Sequence, residues 1–348
     1  MKTAHTDKRR AETSRLSRGR LLELVDSFPG CPITVWGDLI LDEYLYGTTR
    51  RVSREAPVLI LRHAGSEHKL GGAGNALLNL KALGADPRPV GVVGRDEAGR
   101  TILRILKARR IPLEGVQVRP EQRTPVKTRI LAGEENTRKQ QILRLDRESR
   151  VRDASDIRAP MVRRLTLEAR RAKALLISDY DYHTVSEDVF RRVLPLFKKS
   201  GRPVTLDSRF RLMRFSGVTA ATPNEPEASE AGNTDIGDDD RRLRLAGQRL
   251  LSRLGARGLL ITRGSRGMAL FEKHRPPVLI PVHGTTHIVD VTGAGDTVIS
   301  VFTLSLACGA TFRQAAVLAN IAGGLAVMKK GTAAVGRDEL KQAVSAEP

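Results

Sequence analysis

Cysteine and aromatic residues are scarce in this chain, and each shortage excludes a class of protein. Only Cys31 and Cys308 occur among the 348 residues, which is too few for a disulfide framework or a cysteine-ligated metal site. This usage predicts a reducing cytoplasm. Aromatic residues make up 4% of the chain, so the interleaved aromatic side chains that stack on nucleic-acid bases are missing.

Long apolar segments are missing as well. The longest nearly apolar stretch, residues 315–328, contains Asn320 and is shorter than a membrane span. Residues 1–20 are basic and polar without an apolar core, which does not match a secretory signal. We therefore predict a basic N-terminal arm with a short helix over residues 1–30, and no association with a membrane.

Positive charge, in contrast, is abundant. The chain has 59 lysines and arginines against 39 acidic residues, a net charge of +20. Basic chains often bind nucleic acid, and this is the main alternative class. The arginines are nevertheless spread along the whole chain, and no zinc-finger, RNA-recognition or helix-turn-helix pattern occurs. The spread favours solvated helix faces and a field that attracts a phosphorylated substrate, so we expect no nucleic-acid partner.

The most informative segment is residues 290–296, Asp-Val-Thr-Gly-Ala-Gly-Asp. A strand-like apolar run precedes it and a long apolar stretch follows, which predicts a strand, a glycine turn and a helix N-terminus. The amides of Gly293, Ala294 and Gly295 then lack helical partners and form an anion site. Because a carboxylate repels an anion, Asp296 is interpreted as the base that takes a hydroxyl proton during phosphoryl transfer. The alternative is a glycine-rich turn with an ordinary acidic residue.

A second glycine turn, Gly-Gly-Ala-Gly-Asn at residues 71–75, begins another helical pattern. It lacks the third glycine of the dinucleotide-binding fingerprint, and no Gly-Lys-Ser/Thr follows either turn. The protein-kinase motifs are missing too. Two such turns, far apart in sequence, suit a small polyol held at one turn and a nucleotide phosphate held at the other.

These two turns together resemble the signatures of the PfkB (ribokinase-like) carbohydrate kinases. Within that family, further stretches resemble D-glycero-β-D-manno-heptose-7-phosphate kinases, namely residues 36–47, 51–58, 141–146, 222–227 and 331–332. The resemblance runs from about Ile33 to Leu340. It implies an ATP- and Mg²⁺-dependent kinase for the anomeric hydroxyl of the heptose 7-phosphate, in the pathway to nucleotide-activated heptose and the lipopolysaccharide core.

The resemblance also implies roles for individual residues. Sugar-binding roles fall on Asp38, Asp42, Gly71, Gly72, Asn75, Arg144 and Asp146. Asn224 and Glu227 match an Asn-x-x-Glu motif that organises Mg²⁺, through water, and the nucleotide phosphates. The expected nucleotide neighbours are Thr262, Arg263, Gly264, Gly267 and Asn320.

Taken without the resemblance, the same residues have ordinary structural interpretations. Asp38 and Asp42 each fit a turn or cap, and Arg144 with Asp146 fits an ion pair on one face of a strand. Asn224 and Glu227 fit a helix capping box, and they can serve both purposes. His283 and His287 have i,i+4 spacing, but in an extended segment this spacing disfavours metal ligation.

Two departures from the heptose kinases leave the sugar open. Related kinases carry a lysine two residues after Ser-Asp-Tyr, where this chain has Tyr182. They often have Asp-Pro-Lys where this chain has Asp207, Ser208 and Arg209, and Arg209 replaces one cation with a forked group. A PfkB kinase for another sugar or sugar phosphate is therefore the first alternative. The His-x-Gly-His motif of the nucleotidyltransferase fused to some relatives is absent, so adenylylation is not expected from this chain.

Strand and helix patterns alternate along residues 31–345. Strands are predicted at 33–41, 89–93, 174–178, 203–207, 218–221, 258–262 and 267–271, and helices at 76–83, 97–109, 157–172, 187–199 and 241–254. This alternation predicts an α/β fold with a doubly wound, mostly parallel sheet covered by helices on both faces.

Two regions, residues 43–64 and 116–147, have extended runs without helices. They predict a small separate β-sheet, which the resemblance interprets as a lid over the sugar and a homodimer contact. A non-catalytic sugar sensor is the remaining alternative, and the presence of Asp296, Asn224 and Glu227 argues against it.

Overall fold

Strands and helices alternate along the chain in a computed structural model that describes residues 17–134, 139–152, 154–284, 289–329 and 331–346. The first 16 residues of the predicted arm, and His287, lie outside the described residues. The helices are α1 (Arg18–Asp26), α2 (Ala73–Ala82), α3 (Glu97–Ala108), α4 (Ser155–Arg171), α5 (Glu187–Lys199), α6 (Glu225–Gly232), α7 (Asp240–Leu254), α8 (Ala294–Ala307), α9 (Phe312–Val327) and α10 (Arg337–Ala346). The strands are β1 (Pro32–Gly37), β2 (Leu39–Val52), β3 (Leu59–Gly72), β4 (Asp86–Gly94), β5 (Val116–Arg119), β6 (Val126–Gly133), β7 (Gln140–Arg147), β8 (Ala174–Asp179), β9 (Val204–Ser208), β10 (Ala220–Ala221), β11 (Gly258–Thr262), β12 (Met268–Glu272) and β13 (Val278–Ile280).

The larger sheet has the strand order β13-β12-β11-β10-β9-β8-β1-β4-β5 within the described residues. Its pairs from β5 to β11 are parallel, and only β12 and β13 run antiparallel to their neighbours. One apolar core lies beneath α1–α3 and α8–α10, and a second lies on the opposite face beneath α4–α7. The predicted doubly wound α/β fold is confirmed.

Burial on both faces explains why the central strands are continuous apolar runs. Every residue of β8 is buried, from Ala174 to Asp179. The predicted helix over residues 187–199 matches α5, which begins where the Ser186 hydroxyl accepts the Val189 amide. Local signals of this kind, periodicity and a cap, therefore locate these elements in the sequence.

A smaller sheet, in the order β3-β2-β6-β7, stands apart from the large one. The predicted strand 33–41 is in fact two strands, because the chain leaves the large sheet at Asp38 and enters the small sheet at Leu39. The predicted lid segment 116–147 is also shortened. Its first part, Val116–Arg119, pairs in parallel with β4 in the large sheet, so the lid contribution starts at β6.

The order of the strands creates a crevice at their carboxyl ends. The central β1 pairs with β4 on one side and with β8 on the other. The chain that follows β1 therefore adds later strands on both sides of it, and a crevice opens where the strand order reverses. Asp38 follows β1 directly, and Tyr180 follows β8 directly. Among the helices of the described residues, none has the length and apolarity needed to cross a membrane.

Candidate active site

Asp296 lies in the first turn of α8 with only 2% of its surface exposed. Its two carboxylate oxygens receive hydrogen bonds from different elements. Asn75 Nδ2 in α2 donates to Oδ2 at 2.9 Å, and the Tyr180 hydroxyl donates to Oδ1 at 3.0 Å. The carboxylate is thus fixed in orientation, as a group that must meet a reacting hydroxyl needs to be.

Burial raises the pKa of Asp296 to about 7, because removing the carboxylate from water disfavours its charge. The hydrogen bonds from Asn75 and Tyr180 oppose this rise, since both stabilise the ionised form. The negative charge of Asp42 adds to it, and the positive charge of Lys127 opposes it. A base with a pKa near neutrality can both accept and release a proton at physiological pH.

The glycine turn before α8 has the predicted conformation. Gly293 adopts φ 80°, and a Cβ there would lie 2.5 Å from Asn75 Nδ2. The same Nδ2 also donates to the Gly293 carbonyl at 3.3 Å. One prediction needs correction, because the amide of Ala294 is engaged by the Val291 carbonyl at 3.3 Å. No side chain of the described residues caps α8, and anion binding by the amides of Gly293 and Gly295 stays a prediction.

Asp42 lies in β2 beside the second glycine turn, as the motif resemblance implies. A Cβ on Gly71 would be 2.7 Å from Asp42 Oδ2, so glycine is needed for this approach. The Asp42 carboxylate, 3% exposed, also accepts a bond from an Arg129 guanidinium nitrogen at 2.6 Å. Asp42 and Asp296 are close enough for their charges to interact.

Lys127 in β6 is a cation of this pocket to which the sequence analysis assigned no role. It is 7% exposed, and its Nζ lies 5.4 Å from the centroid of the Tyr180 ring. Burial, followed by the guanidinium groups of Arg209 and Arg144, lowers its pKa below the ordinary value. Lys127, Arg144 and Arg209, from three different segments, are thus close enough for their charges to interact, and the charge of Lys127 also acts on Asp296.

Asp38 has a structural role in addition to the sugar contact that the resemblance implies. Its carboxylate accepts backbone amides of Tyr180 at 2.7 Å, Tyr182 at 3.2 Å and Thr184 at 3.1 Å. Burial raises its pKa to about 6, and these hydrogen bonds oppose the rise. Asp38 thus organises the loop after β8, which explains its position at the end of β1, and sugar contact stays a prediction.

Arg144 and Asp146 lie on one face of β7, as the alternation predicts. They form a bidentate pair in which Arg144 Nε and a terminal nitrogen donate to the two Asp146 oxygens at 2.8 and 2.5 Å. This bond lowers the pKa of Asp146 below its usual range. The pair is therefore a strand-surface ion pair whose positive partner is close to Lys127, and its contact with substrate stays a prediction.

Asn224 and Glu227 form the predicted capping box at the start of α6. Asn224 Oδ1 accepts the Glu227 amide at 2.8 Å, and Glu227 Oε2 accepts the Asn224 amide at 2.9 Å. Asp207, at the end of β9, lies nearby. Burial, followed by the charges of Glu227 and Asp296, raises the pKa of Asp207 well above its ordinary value. The positive charge of Arg209 opposes the raised pKa of both Asp207 and Glu227.

Two of the predicted nucleotide neighbours, Arg263 and Asn320, bond to groups of the protein, and their contact with a nucleotide stays a prediction. Arg263 is buried, and its guanidinium pairs with Glu225 at 3.1 Å and Asp240 at 2.9 Å, so it holds α6 and α7 against β11. Asn320 donates to the Pro281 carbonyl at 2.8 Å. Both have structural roles here, because a buried polar group needs a partner within the protein.

The remaining predicted nucleotide neighbours surround the end of β11. Thr262 forms an isolated parallel β-bridge with Asn224, and this pairing brings the segment after β11 next to α6. Gly264 and Gly267 both adopt positive φ, and a Cβ on Gly267 would lie 2.1 Å from the Ile280 carbonyl oxygen. Gly267 therefore packs closely against the end of β13, and nucleotide contact of both glycines stays a prediction.

Four groups near the base escaped the sequence analysis, namely Lys127, Arg129, Tyr180 and Asp207. The sequence position of each residue could have indicated that it lies near the site. Lys127 and Arg129 alternate along a strand, so they share one side of it. Tyr180 and Asp207 stand at the carboxyl ends of parallel strands, where ligands of doubly wound sheets bind.

A buried carboxylate in the first turn of a glycine-led helix, with a buried lysine near it, is consistent with an enzyme that transfers a phosphoryl group to an alcohol. Residues 33–338 match the pfkB family of carbohydrate kinases. The chain belongs to this family of carbohydrate kinases.

Sequence relatives agree with this family. The bifunctional protein HldE of Syntrophotalea carbinolica is 37% identical over 312 residues, which cover 89% of this chain and 62% of the relative. The bifunctional protein HldE of Citrifermentans bemidjiense is 40% identical over 307 residues, covering 88% of this chain and 62% of the relative. The chain thus spans less than two thirds of these relatives.

Solved structures show the same fold. Arabidopsis thaliana ribokinase, complexed with ribose and ATP, superposes with a TM-score of 0.70 at 19% identity, covering 92% of this chain and all 100% of that chain. Phosphofructokinase-2 from Escherichia coli, in complex with potassium, gives a TM-score of 0.70 at 17% identity over 91% of this chain and 98% of that chain.

The raised pKa of Asp296 predicts a pH-dependent stability. Its pKa rises from 3.8 to about 7 on folding, so the group contributes stability at low pH that is lost as pH rises through 7. Asp296→Asn removes this loss. We therefore expect the stability of the variant relative to the native chain to increase by about 2 kcal/mol between pH 5 and pH 8. Unfolding at both pH values measures this, and a pH-independent difference would contradict it.

Proposed function

We propose that the chain phosphorylates the anomeric hydroxyl of D-glycero-β-D-manno-heptose 7-phosphate to the 1,7-bisphosphate, with ATP as donor and Mg²⁺ as cofactor. The position of Lys127 near Asp296, with Arg144 and Arg209 close enough to act on Lys127, carries the proposal, because such cations suit an acceptor that already bears a phosphate. The motif resemblance to heptose-7-phosphate kinases and the similarity to HldE proteins support this choice of sugar.

Transfer proceeds in line from ATP to the acceptor oxygen. Asp296 takes the hydroxyl proton as the new oxygen–phosphorus bond forms and the bond to ADP breaks. The amides of Gly293 and Gly295, at the positive end of α8, stabilise charge on the migrating phosphoryl group. The small sheet covers the acceptor and excludes water.

A magnesium ion fits the acidic groups at the start of α6. Burial raises the pKa of Glu227 as well as that of Asp207, and a divalent cation would relieve the crowding of these negative charges. Among the described residues, no cluster of His, Cys, Asp and Glu has the geometry to ligate a metal directly. Asn224 and Glu227 would therefore hold a hydrated ion, and the ion would neutralise the phosphate oxygens.

Lys127 takes the place of the lysine that related kinases carry at the position of Tyr182. Tyr182 is buried, and its hydroxyl donates to Glu148 at 3.3 Å, so this position packs rather than binds an anion. Lys127 reaches the neighbouring Tyr180 from the lid side. A point charge is thus present in the pocket although the sequence places it in a different segment.

The small sheet also supports the proposal of a homodimer. Its strands and the loop between β2 and β3 expose several large apolar side chains, namely Val52, Val58, Leu59, Ile142, Leu143 and Leu145. Large apolar groups that cluster on an exposed surface often mark a protein interface. Analytical ultracentrifugation tests this, and a monomer at micromolar concentration would contradict it.

The substrate assignment is tested with purified protein and a panel of sugars. We expect the heptose 7-phosphate to be phosphorylated far better than free fructose, ribose or adenosine. Arg144→Ala should raise the KM for the sugar phosphate more than tenfold, corresponding to a loss of about 1.4 kcal/mol or more in binding.

Arg147→Ala is the matched control, because Arg147 lies on the same strand but is 64% exposed and pairs with Glu43. It should leave KM within about twofold of the native value, as expected for an exposed pair. A free sugar as the best substrate, or an unchanged KM in Arg144→Ala, would contradict the heptose assignment and leave the kinase assignment intact.

A further inference from the structure

Tyr180 contacts the carboxylate of Asp296 from a segment that lies outside both glycine turns. Its hydroxyl donates to Asp296 Oδ1 at 3.0 Å, across 116 residues of sequence. Asn75 Nδ2 donates a hydrogen bond to the other oxygen, Asp296 Oδ2, at 2.9 Å. Two donors from separate elements thus hold the carboxylate on both sides, and only one of them belongs to a glycine signature.

The tyrosine is itself held firmly. Its amide donates to Asp38 Oδ2 at 2.7 Å, and its ring lies under the Lys127 ammonium. The backbone of Gly72 fits against it, since a Cβ there would be 3.3 Å from Tyr180 Cδ2. Asp38 and Gly72, which the resemblance assigns to the sugar, therefore also place this phenol.

The loop that follows is strained and depends on the same anchor. Asp181 and His183 adopt φ of 65° and 66°, in the left-handed region that side chains disfavour. Asp38 ties down the amides of Tyr182 and Thr184 on either side of His183. A strained backbone persists only where its surroundings hold it, and here that backbone carries the Asp296 donor.

We propose that Tyr180 is a positioning residue, which fixes the orientation of the Asp296 carboxylate and favours its ionised form through the donated hydrogen bond. This inference rests on the proposed function, in which Asp296 is the base. The phenol is suited to the task because burial, followed by the Asp296 charge, raises the pKa of Tyr180 well above its ordinary value. It therefore keeps its proton and remains a donor.

Burial, hydrogen bonds and nearby charges together set the pKa of Asp296. Asp42 from β2 disfavours its ionised form and Lys127 from β6 favours it, while the charge of Asp296 in turn raises the pKa of Asp207 from β9. Burial dominates, which leaves the pKa near 7. Loss of one donor to the ionised form should therefore raise this pKa further and reduce the fraction of active base at neutral pH.

The test is the pH profile of kcat/KM for Tyr180→Phe, with ATP and the sugar phosphate that the native chain uses best. We expect the acidic limb to move up by about one pH unit, because a hydrogen bond to a charged group stabilises it to roughly that extent. The plateau of kcat should fall about tenfold as orientation is lost, with the KM for ATP unchanged. Tyr182→Phe is the matched control, since the neighbouring hydroxyl bonds to Glu148, and its profile should match the native one.

A second measurement keeps the hydrogen bond between residue 180 and Asp296 and should shift the acidic limb of the pH profile in the opposite direction. A fluorinated tyrosine at position 180 is a stronger donor, so it should move the acidic limb down. An unchanged limb in Tyr180→Phe, an equal shift in Tyr182→Phe, or no response to fluorination would overturn the inference. If Asp296→Asn retained turnover, the proposed base would fail instead, which separates the two outcomes.

Discussion

Asp296→Asn is expected to lower turnover about 10²–10⁴-fold, the range typical of the loss of a general base. Asparagine preserves the size of the side chain and the turn around it, but it cannot accept the hydroxyl proton. The effect should be large because Asp296 is 2% exposed and is held by two donors, so water has no easy route to replace it.

Calorimetry of nucleotide binding separates this loss of chemistry from misfolding. ATP affinity should change little, since the nucleotide is proposed to bind beyond the glycine turn. Asp338→Asn serves as a control for a carboxylate on the surface, because that side chain is 84% exposed on α10. Near-native turnover in Asp296→Asn would remove this residue from the mechanism.

Lys127→Met should lower kcat/KM for the sugar phosphate about 10²-fold, which corresponds to the loss of about 3 kcal/mol of charge-assisted bonding. Methionine fills a similar volume without the charge. The ammonium group is buried among Asp42, Asp146 and the cations of Arg144 and Arg209, so its removal is not compensated by water.

The choice of substrate makes this prediction specific. For a weakly used free sugar, the same variant should show a smaller loss, because the phosphate that needs the cation is absent. Lys139→Met is the matched control, since Lys139 lies at the start of the lid strand with its Nζ 6.0 Å from the Tyr46 ring centroid. Equal losses for both sugars, or an effect of Lys139→Met, would contradict a role for Lys127 in phosphate binding.

Much of the fold was predictable because it depends on neighbours within a few residues. Apolar periodicity located β8, β11 and α5, and the Asn224–Glu227 spacing identified a capping box that the structure confirms. Where tertiary pairing competes with local pattern, the predictions differ. The strand predicted at 33–41 breaks at Asp38 because its two halves pair in different sheets.

In the candidate active site, too, local features were predictable and long-range contacts were not. The sequence by itself determined the two glycine turns and the acid after the second one, because backbone conformation and the exposed amides of a helix start are local properties. Only the tertiary structure decided which groups face that acid. Tyr180 and Asn75 reach Asp296 across 116 and 221 residues, and Lys127 does so from a separate sheet. Such contacts depend on how packed layers meet, and for that reason no local pattern of residues contains them.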